Sequence, residues 1–406
     1  MSTPSELYRN AIDLNRFSNS VAKRIAVTYN DLILDAVDQL RGIDELAAPA
    51  KAARLRAILA QLKESLDGWA GTSTLAVVDD LQGLAVLQSE FVANELRRAL
   101  PIELRSQIRS VQISPQFAQS VATVDPTAIN VVSLSDDLRA AVAGAPQTFQ
   151  LTAAQGTTIT LPNGKVLQKS FRGLAESQAD LFAKTVRNGL LTGESTDQIA
   201  RQLKGRLRFG QPGSLRQIAQ AGGQVTAVAD NQINAMVRTS INQVANQTSQ
   251  QVYKANQDVT NKYRYVATLD SRTSAICRAL DGQEFDYGKG PTPPQHFNCR
   301  STTVPVIDYK GLGIEPPPPS QLRRPNSAFK GARAVRGEGV PDNETYGQWL
   351  DKQPKATKQD VLGKSKVPYF NRLVNKYGPT DAIRKFVSAD GSELTLEQLK
   401  RRYPNE

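Results

Sequence analysis

Hydrophobic residues recur every three to four positions through most of the first hundred residues. This spacing predicts an amphipathic helix to about residue 41, a second over about 48–68 and a third over about 73–99. The segment TPSE at residues 3–6 begins the first helix with a capping hydroxyl, a proline and a carboxylate. Since the segments GIDEL and GWAGTS between the helices are short, we expect an antiparallel helical region with two loops.

The pattern changes from helical to alternating after a Ser-, Ala- and Pro-rich connector over about 100–146. In TFQLTAAQGTTITLPNGKVLQ, threonine, valine and leucine alternate around Asn163-Gly164. Alternation on both sides of an Asn-Gly pair predicts a β-hairpin with a tight turn. Helical periodicity then returns, and ESTDQIARQLKGRL is typical of a short capped helix.

A long helix is predicted over about 214–256, with a bend or break at Gly222-Gly223. One face is apolar, and the opposite face is rich in Gln and Asn instead of charged residues. That composition favours packing against other protein over exposure to solvent. Two strands are predicted after this helix, in KYRYVATLD and STTVPVI.

These patterns predict a mostly α fold with a small β component (α+β), with long helices and one β-hairpin. A chain of 406 residues exceeds what one hydrophobic core usually serves, so we divide it into four parts. An N-terminal helical region with its connector covers 1–146, and a domain that ends in a loop-rich segment covers 147–312. A Pro-rich basic linker over 313–341 and a C-terminal helical tail over 342–406 complete the chain.

The charge balance favours an acidic partner. There are 50 Lys and Arg residues against 39 Asp and Glu residues, a net charge of +11, which suits nucleic acid or an acidic protein surface. A soluble protein with a somewhat basic surface fits the same balance. The N-terminus MSTPSELYRN has no basic region followed by an apolar run, and no stretch approaches the roughly 20 apolar residues of a membrane span. We therefore expect synthesis in the cytoplasm and no membrane span.

The predicted linker carries a basic strap that no acidic residue interrupts between Glu315 and Glu338. Its members are Arg323, Arg324, Lys330, Arg333 and Arg336. A flexible basic segment of this kind can lie along phosphates or an acidic partner. A merely solvated linker is the alternative.

The rarest side chains of the chain lie close together in sequence. His296 is the only histidine, and it falls between the only two cysteines, Cys277 and Cys299, within 23 positions. We call residues 277–299 the Cys/His knuckle. Two thiols and an imidazole are soft ligands that a loop-rich segment can close around Zn²⁺, although a structural zinc site needs a fourth ligand. The carboxylates nearest in sequence are Asp281, Asp270 and the poorer candidate Asp286.

Spacing alone leaves three states of this cluster open: a zinc site, a Cys277–Cys299 disulfide, and two buried thiols beside a hydrogen-bonded histidine. Catalysis is less favoured. A Cys/His nucleophile pair is formally possible, but the chain has no second histidine, no glycine-rich phosphate loop, no serine elbow and no dinucleotide fingerprint. Most hydrolytic designs are thereby excluded, and we expect no cofactor unless the cluster binds zinc.

The same block of sequence resembles the signature of the phage Mu F-like minor head proteins, the phage head morphogenesis family. The resemblance lies in ATLDSRTSAICRALDGQEF and PPQHFNCRSTTVPV and extends over roughly 165–400. The matching positions are Asp270, Arg272, Thr273, Cys277, Leu280, Asp281, Gly282, Pro293, Pro294, His296, Asn298, Cys299 and Arg300. One departure is that the family often has Cys-Arg-Cys where this chain has Cys299-Arg300-Ser301, so a hydroxyl replaces a ligand that would complete a metal site.

The resemblance implies a non-enzymatic virion protein, a minor head component present in several copies. It implies association with the portal protein at the portal vertex during assembly, with the major capsid protein, scaffold and packaged DNA as further partners. Such a protein can leave the head with the DNA. Two alternatives are a phage-delivered enzyme or effector and a basic nucleic-acid-binding protein. Against the first, only a short helical tail follows residue 341; against the second, aromatic residues are only 6% and are not interleaved with the basic strap.

Overall fold

The fold is mostly helical with a small β component, as the hydrophobic pattern predicts. The computed structural model describes residues 3–109, 111–113, 149–151, 161–162, 164–204, 225–316, 323–325, 339–341 and 343–404. Its helices are α1 (Thr3–Asp38), α2 (Ala48–Ala99), α3 (Leu167–Leu191), α4 (Thr196–Lys204), α5 (Val225–Ala255), α6 (Ala275–Leu280), α7 (Tyr346–Asp351), α8 (Lys355–Leu362), α9 (Val367–Tyr377), α10 (Pro379–Arg384) and α11 (Leu396–Arg402). Its strands are β1 (Val111–Ile113), β2 (Phe149–Leu151), β3 (Thr260–Val266), β4 (Glu284–Asp286), β5 (Thr302–Ile307), β6 (Arg323–Pro325) and β7 (Gly339–Pro341).

The predicted loop at GWAGTS is wrong, because α2 runs without interruption through this segment. Its tryptophan explains the difference. The Trp69 ring packs against Tyr29 and Phe171, with centroids 5.2 and 5.6 Å away, and Nε1 donates a hydrogen bond to Thr28 Oγ1 at 3.1 Å. Burial of so large a side chain outweighs the roughly 1 kcal/mol that each glycine costs a helix.

Helix α5 lies at the centre of the molecule and packs against α1, α2, α3 and β5. Nearly every side chain from Thr239 to Asn256 is buried, including the Gln- and Asn-rich face. Several of these polar side chains find hydrogen-bond partners in other elements of the chain. The Asn256 side chain accepts from the Arg109 amide at 2.7 Å and donates to the Arg109 carbonyl at 3.1 Å, and Gln250 Nε2 donates to Thr303 Oγ1 at 3.0 Å. The prediction that this face packs against protein is confirmed.

The two strands predicted after α5 form the middle and one edge of an antiparallel sheet with the order β4-β3-β5. Three residues of β3, Lys262 to Arg264, pair with both neighbours; Tyr263, the middle one, lies opposite Phe285 on β4 and Pro305 on β5. The side of β5 that faces α5 joins the sheet to the main core. This junction holds the Cys/His knuckle against the long helices.

Two further predictions concern short β-structure. The turn of the predicted hairpin is present, with Gly164 N donating to Leu161 O at 2.9 Å, but the preceding residues 152–160 lie outside the described part. Upstream of it, β2 pairs with β1 in parallel. Within the predicted linker, β6 and β7 form an antiparallel pair beside α1, which composition did not predict.

Residues 343–404 form a second hydrophobic core, which we call the C-terminal cluster. The short helices α7–α11 build it around Trp349, Phe370 and Phe386, with Leu269 contributed from the end of the sheet. Close backbone approach is part of this packing: a Cβ on Gly347 would lie 2.1 Å from the Pro379 carbonyl oxygen. Among the residues that the structure describes, no helix combines the length and apolarity that crossing a membrane requires.

Candidate functional site

The first half of the site is a capped turn that positions Cys277. After β3 the chain turns around Asp270, whose Oδ1 accepts from the Arg272 amide at 3.0 Å and from Thr273 Oγ1 at 3.1 Å. Ser274 then caps α6 by accepting from the Cys277 amide at 3.4 Å. These side-chain hydrogen bonds place Cys277 in the first turn of the six-residue helix α6, where its side chain is buried.

The second half is the loop PPQHFNCRS, which α5 holds through its polar side chains. Thr239 Oγ1 accepts from the Asn298 amide at 3.0 Å, and Asn242 Nδ2 donates to the Ser301 carbonyl at 3.1 Å. Asn298 has a φ of 58°, a left-handed conformation that asparagine adopts more readily than most residues. Two backbone groups of the loop are therefore satisfied by a helix more than fifty residues upstream.

The structure brings the three rare side chains together. Cys277 Sγ lies 3.7 Å from Cys299 Sγ and 3.4 Å from His296 Nε2, and no pair of the three ligand atoms is more than 4.8 Å apart. Both cysteines are buried and free, and His296 is half-buried. His296 Nδ1 lies 2.8 Å from the Phe297 carbonyl, which can only accept, so Nδ1 carries a proton and donates it.

The carboxylates proposed as a fourth ligand lie elsewhere. Asp281 accepts from the Ala267 amide with Oδ1 and from the Tyr346 amide with Oδ2, both at 2.6 Å. Asp270 forms a two-point ion pair with Arg300 at 2.5 and 2.7 Å. The structure thus brings neither carboxylate into the three-residue group.

The remaining groups beside the sulfurs are hydroxyls. Tyr265 Oη lies 3.2 Å from Cys277 Sγ, and the buried Ser301 hydroxyl hydrogen-bonds Cys299. Asp286, the poorer candidate, is on β4, where it pairs with Lys289 at 3.2 Å.

The two thiols differ in acidity. A hydrogen bond from Cys277 lowers the pKa of Cys299 to about 6, against the opposing effect of burial. The same hydrogen bond, together with burial, raises the pKa of Cys277 well above its ordinary value. A thiolate at this site is therefore favoured on Cys299, with Cys277 as its hydrogen-bond donor.

A cavity of about 640 Å³ adjoins the cluster, between α1, α5 and the Cys/His knuckle. His296 and Cys299 lie in its wall, together with three guanidinium groups, those of Arg238, Arg272 and Arg300. Arg238 donates to Asn19 Oδ1 at 2.8 Å, and burial together with the two neighbouring arginines lowers its pKa. The wall is positive because one carboxylate, Asp270, is set against three guanidinium groups.

This cavity is the part of the site that sequence reasoning missed. The family-like sequence block predicts Arg272 and Arg300 as structural residues. It does not predict that they line one cavity together with Arg238. Asn19 is 219 residues from Arg238, and no local pattern connects the two. The one sequence feature that indicates this cavity is the Gln- and Asn-rich face of α5.

Two other predicted motif residues have structural positions. Gly282 has a φ of 77°, and a Cβ there would lie 2.8 Å from Thr345 Cγ2 at the edge of the C-terminal cluster. Pro294 lies in the loop PPQHFNCRS, after a cis peptide bond.

The basic strap is not part of this site as far as the structure describes it. Arg323 and Arg324 belong to β6, beside α1, and Lys330, Arg333 and Arg336 lie outside the described residues. Its proposed role in binding phosphates stays a prediction.

The Cys/His knuckle also attaches the C-terminal cluster to the rest of the molecule. Arg278 Nη2 pairs with Glu393 Oε2 at 3.0 Å, and Nη1 donates to the Val361 carbonyl at 3.2 Å. Tyr346 Oη donates to the Asp270 carbonyl at 2.8 Å. The motif residues thus connect two hydrophobic cores.

Comparison with known families gives a match that contains this segment. Residues 180–304 match the model of a family of phage head-morphogenesis proteins. That family is described as Phage Mu protein F like protein, and the resemblance predicted from the sequence block is confirmed over this range, about a third of the chain. The match includes both cysteines, the histidine and the arginines of the cavity. No curated protein and no solved structure matches the chain significantly. The family match suggests a role in phage head morphogenesis.

Proposed function

We propose that the chain is a minor head structural protein of a tailed phage that associates with the portal vertex during head assembly. The match of residues 180–304 to the Mu F-like family carries this proposal. Further partners are the major capsid protein, scaffold and packaged DNA. The protein is made in the host cytoplasm, becomes part of the virion head in several copies and can leave with the DNA.

A structural role suits how the motif residues are used. Asp281 is engaged by two backbone amides, Asp270 by Arg300, and Asn298 by a hydroxyl of α5. Groups held in this way fix loops and join elements, and they are not free to exchange protons with a substrate. We therefore propose a non-enzymatic protein, in which these residues fasten the fold.

Shape and charge support an assembly role. The helices α1, α2 and α5 are long, and exposed apolar side chains lie along α2, among them Leu75 and Leu87, both about two-thirds exposed. A partner helix or groove can use exposed leucines of this kind as anchors. A net charge of +11 suits a position near packaged DNA.

The test is co-expression of the chain with the portal protein of the same phage, followed by nuclease treatment and size-exclusion chromatography. The chain is expected to elute with the portal ring at 0.15 and at 0.5 M salt, since salt screens contacts that depend on charge alone. A variant with all five strap residues changed to Gln is the matched control, and it should still elute with the ring. Elution with nucleic acid only, and never with portal or capsid protein, would instead favour a basic nucleic-acid-binding protein.

A further inference from the structure

We infer that Cys277, His296 and Cys299 form a zinc site, with Sγ, Nε2 and Sγ as ligands and a water molecule from the adjoining cavity at the fourth position. The inference stands on the geometry of the three side chains, which were brought together from α6 and from the loop PPQHFNCRS.

Two of the three separations match those of a tetrahedral ligand set, and the third, between Cys299 Sγ and His296 Nε2, is within 4.8 Å. With Zn–S bonds of about 2.3 Å, Zn–N bonds of about 2.0–2.1 Å and tetrahedral angles, two sulfurs lie about 3.8 Å apart and a sulfur and a nitrogen about 3.5 Å apart. The corresponding distances here are 3.7 Å between the sulfurs and 3.4 Å between Cys277 Sγ and His296 Nε2. An ion can therefore enter between these atoms with only small movements.

The orientation of the imidazole also fits. His296 Nδ1–H donates to the Phe297 carbonyl, so the lone pair of the neutral ring is on Nε2, the atom that faces Cys277. Histidine ligands of metals almost always donate their other ring N–H to a carbonyl or carboxylate in this way. The contact holds the ring in the tautomer and direction that coordination requires.

The alternative crosslink fits less well. A disulfide would need the sulfurs to close from 3.7 Å to about 2.05 Å, and a reducing cytoplasm opposes it. The third possible state of the cluster is two buried thiols beside a histidine. It would leave three soft ligand atoms within 4.8 Å of one another with no ion between them.

The charges around the site favour zinc with two thiolates. A Zn²⁺ ion with two thiolate ligands and one neutral imidazole carries no net charge, so its presence adds no positive charge to a wall that already holds Arg238, Arg272 and Arg300.

The surroundings of the three protein ligands indicate water as the fourth ligand. Asp281 is used by two backbone amides, so it is not free to turn toward the sulfurs. His296 and Cys299 line the cavity, from which water can reach the metal, and Ser301 lies on the same wall. Zinc sites with three protein ligands and a water at the fourth position are well known.

The expected effect of the ion is structural. It would join α6 to the loop PPQHFNCRS, and α6 also carries Arg278, which pairs with the C-terminal cluster. Because the unfolded chain has no preformed site, the free energy of zinc binding adds to the free energy of folding.

The experiment is metal analysis of the full chain, purified under reducing conditions without chelator. We expect about one zinc per chain, and Co²⁺ exchanged into the site should give the visible absorption of a tetrahedral cobalt–thiolate centre. Cys299→Ser and His296→Gln should each lower zinc retention at least tenfold against a competing chelator. Ser301→Ala is the matched control, since it removes a buried neighbour of Cys299 that is not a ligand, and it should retain zinc.

A gain-of-ligand variant tests the fourth position separately. Ser301→Cys should slow zinc release to the chelator, because a thiolate replaces water. Wild-type protein that has two titratable thiols, holds no metal and takes up neither Zn²⁺ nor Co²⁺ would overturn the inference. Protein without free thiols and lighter by two hydrogens would overturn it in favour of the disulfide. Both outcomes are read on wild-type protein, so they hold even if a variant fails to fold.

Discussion

At the scale of single residues, the site depends on backbone conformations and ion pairs that few other side chains can replace. Asn298 is the one described non-glycine residue with a positive φ, 58°, and its amide is bound by Thr239 of α5. Its side chain is exposed, so its identity matters for the backbone more than for packing. The residue holds the loop PPQHFNCRS in the shape that brings Cys299 inward.

Substitution of this residue should therefore follow backbone preference. Asn298→Ala is expected to lower the free energy of unfolding by about 1 kcal/mol, since alanine is disfavoured in the left-handed region. Asn298→Gly should be close to neutral, because glycine adopts positive φ without steric cost. Urea unfolding of the three proteins checks this, and equal losses for Ala and Gly would contradict it.

The Asp270–Arg300 pair predicts a pH dependence of stability. Burial opposes the charged carboxylate, but the hydrogen bonds and charge of Arg300, with Arg272 nearby, outweigh it and lower the pKa of Asp270. A carboxyl group with a lowered pKa in the folded state stabilises the protein fully above its unfolded pKa of about 3.9. That contribution is lost as the pH falls through the lower, folded value.

Asp270→Asn should thus cost about 2–3 kcal/mol of unfolding free energy at pH 7, since Arg300 loses its buried partner. As the pH falls below about 3.9, the difference from wild type should shrink. Asp286→Asn, on an exposed pair with Lys289, is the control and should change little at either pH. A constant difference across the pH range would argue against an ionic origin.

At the scale of elements, α2 is held by the packing of Trp69 despite the exposed glycines that flank it, Gly68 and Gly71. A side chain at either position would meet nothing within 4 Å. Gly71→Ala should therefore raise the unfolding free energy by about 0.5–1 kcal/mol, measured by chemical denaturation. Gly347→Ala is the contrasting variant and should destabilise, because its Cβ would overlap the Pro379 carbonyl. Destabilisation by Gly71→Ala would mean that α2 bends or opens there.

The same helix shows what sequence patterns can and cannot predict. Periodicity predicts α1, α5, β3 and β5, since each carries its signal in consecutive residues. The start of the helix predicted over about 214–256 and its bend at Gly222-Gly223 lie outside the described residues. The predicted break at GWAGTS is wrong because the packing of Trp69 against its distant partners Tyr29 and Phe171 outweighs the local cost of glycine in a helix.

The candidate site also has parts that the sequence predicts and parts that depend on distant residues. Clustering of rare residues predicted that Cys277, His296 and Cys299 meet, and the short separation along the chain made that possible. The cavity beside them needed α1 and α5 to cross near the loop PPQHFNCRS, which brings Asn19 to Arg238. Asp281 accepts hydrogen bonds from two backbone amides, and one of them belongs to Tyr346 of the C-terminal cluster, 65 residues away.

At the scale of the whole molecule, two hydrophobic cores meet at α6. Arg278 is buried, and its pairing with Glu393 and the Val361 carbonyl is a main polar connection between them. The C-terminal cluster should consequently be the part whose attachment responds most to changes in α6.

Arg278→Ala is expected to cost about 2 kcal/mol or more, because it removes a buried ion pair and leaves the Val361 carbonyl without this donor. Amide hydrogen exchange should become faster in residues 343–404 and stay nearly unchanged in α2 and α5. Arg264→Ala, which removes a partly exposed pair with Glu284, is the matched control and should have little effect. Uniformly faster exchange throughout would indicate that the two cores unfold together.

The uninterrupted course of α2 constrains how the protein can change in length. At 1.5 Å per residue, its 52 residues form a rod of about 78 Å. Inserting a single residue would rotate everything downstream by about 100° and turn the buried stripe out of register with α1, α3 and α5. Natural variants should therefore lengthen or shorten this rod in steps near seven residues, two full turns, so that the same side still faces inward.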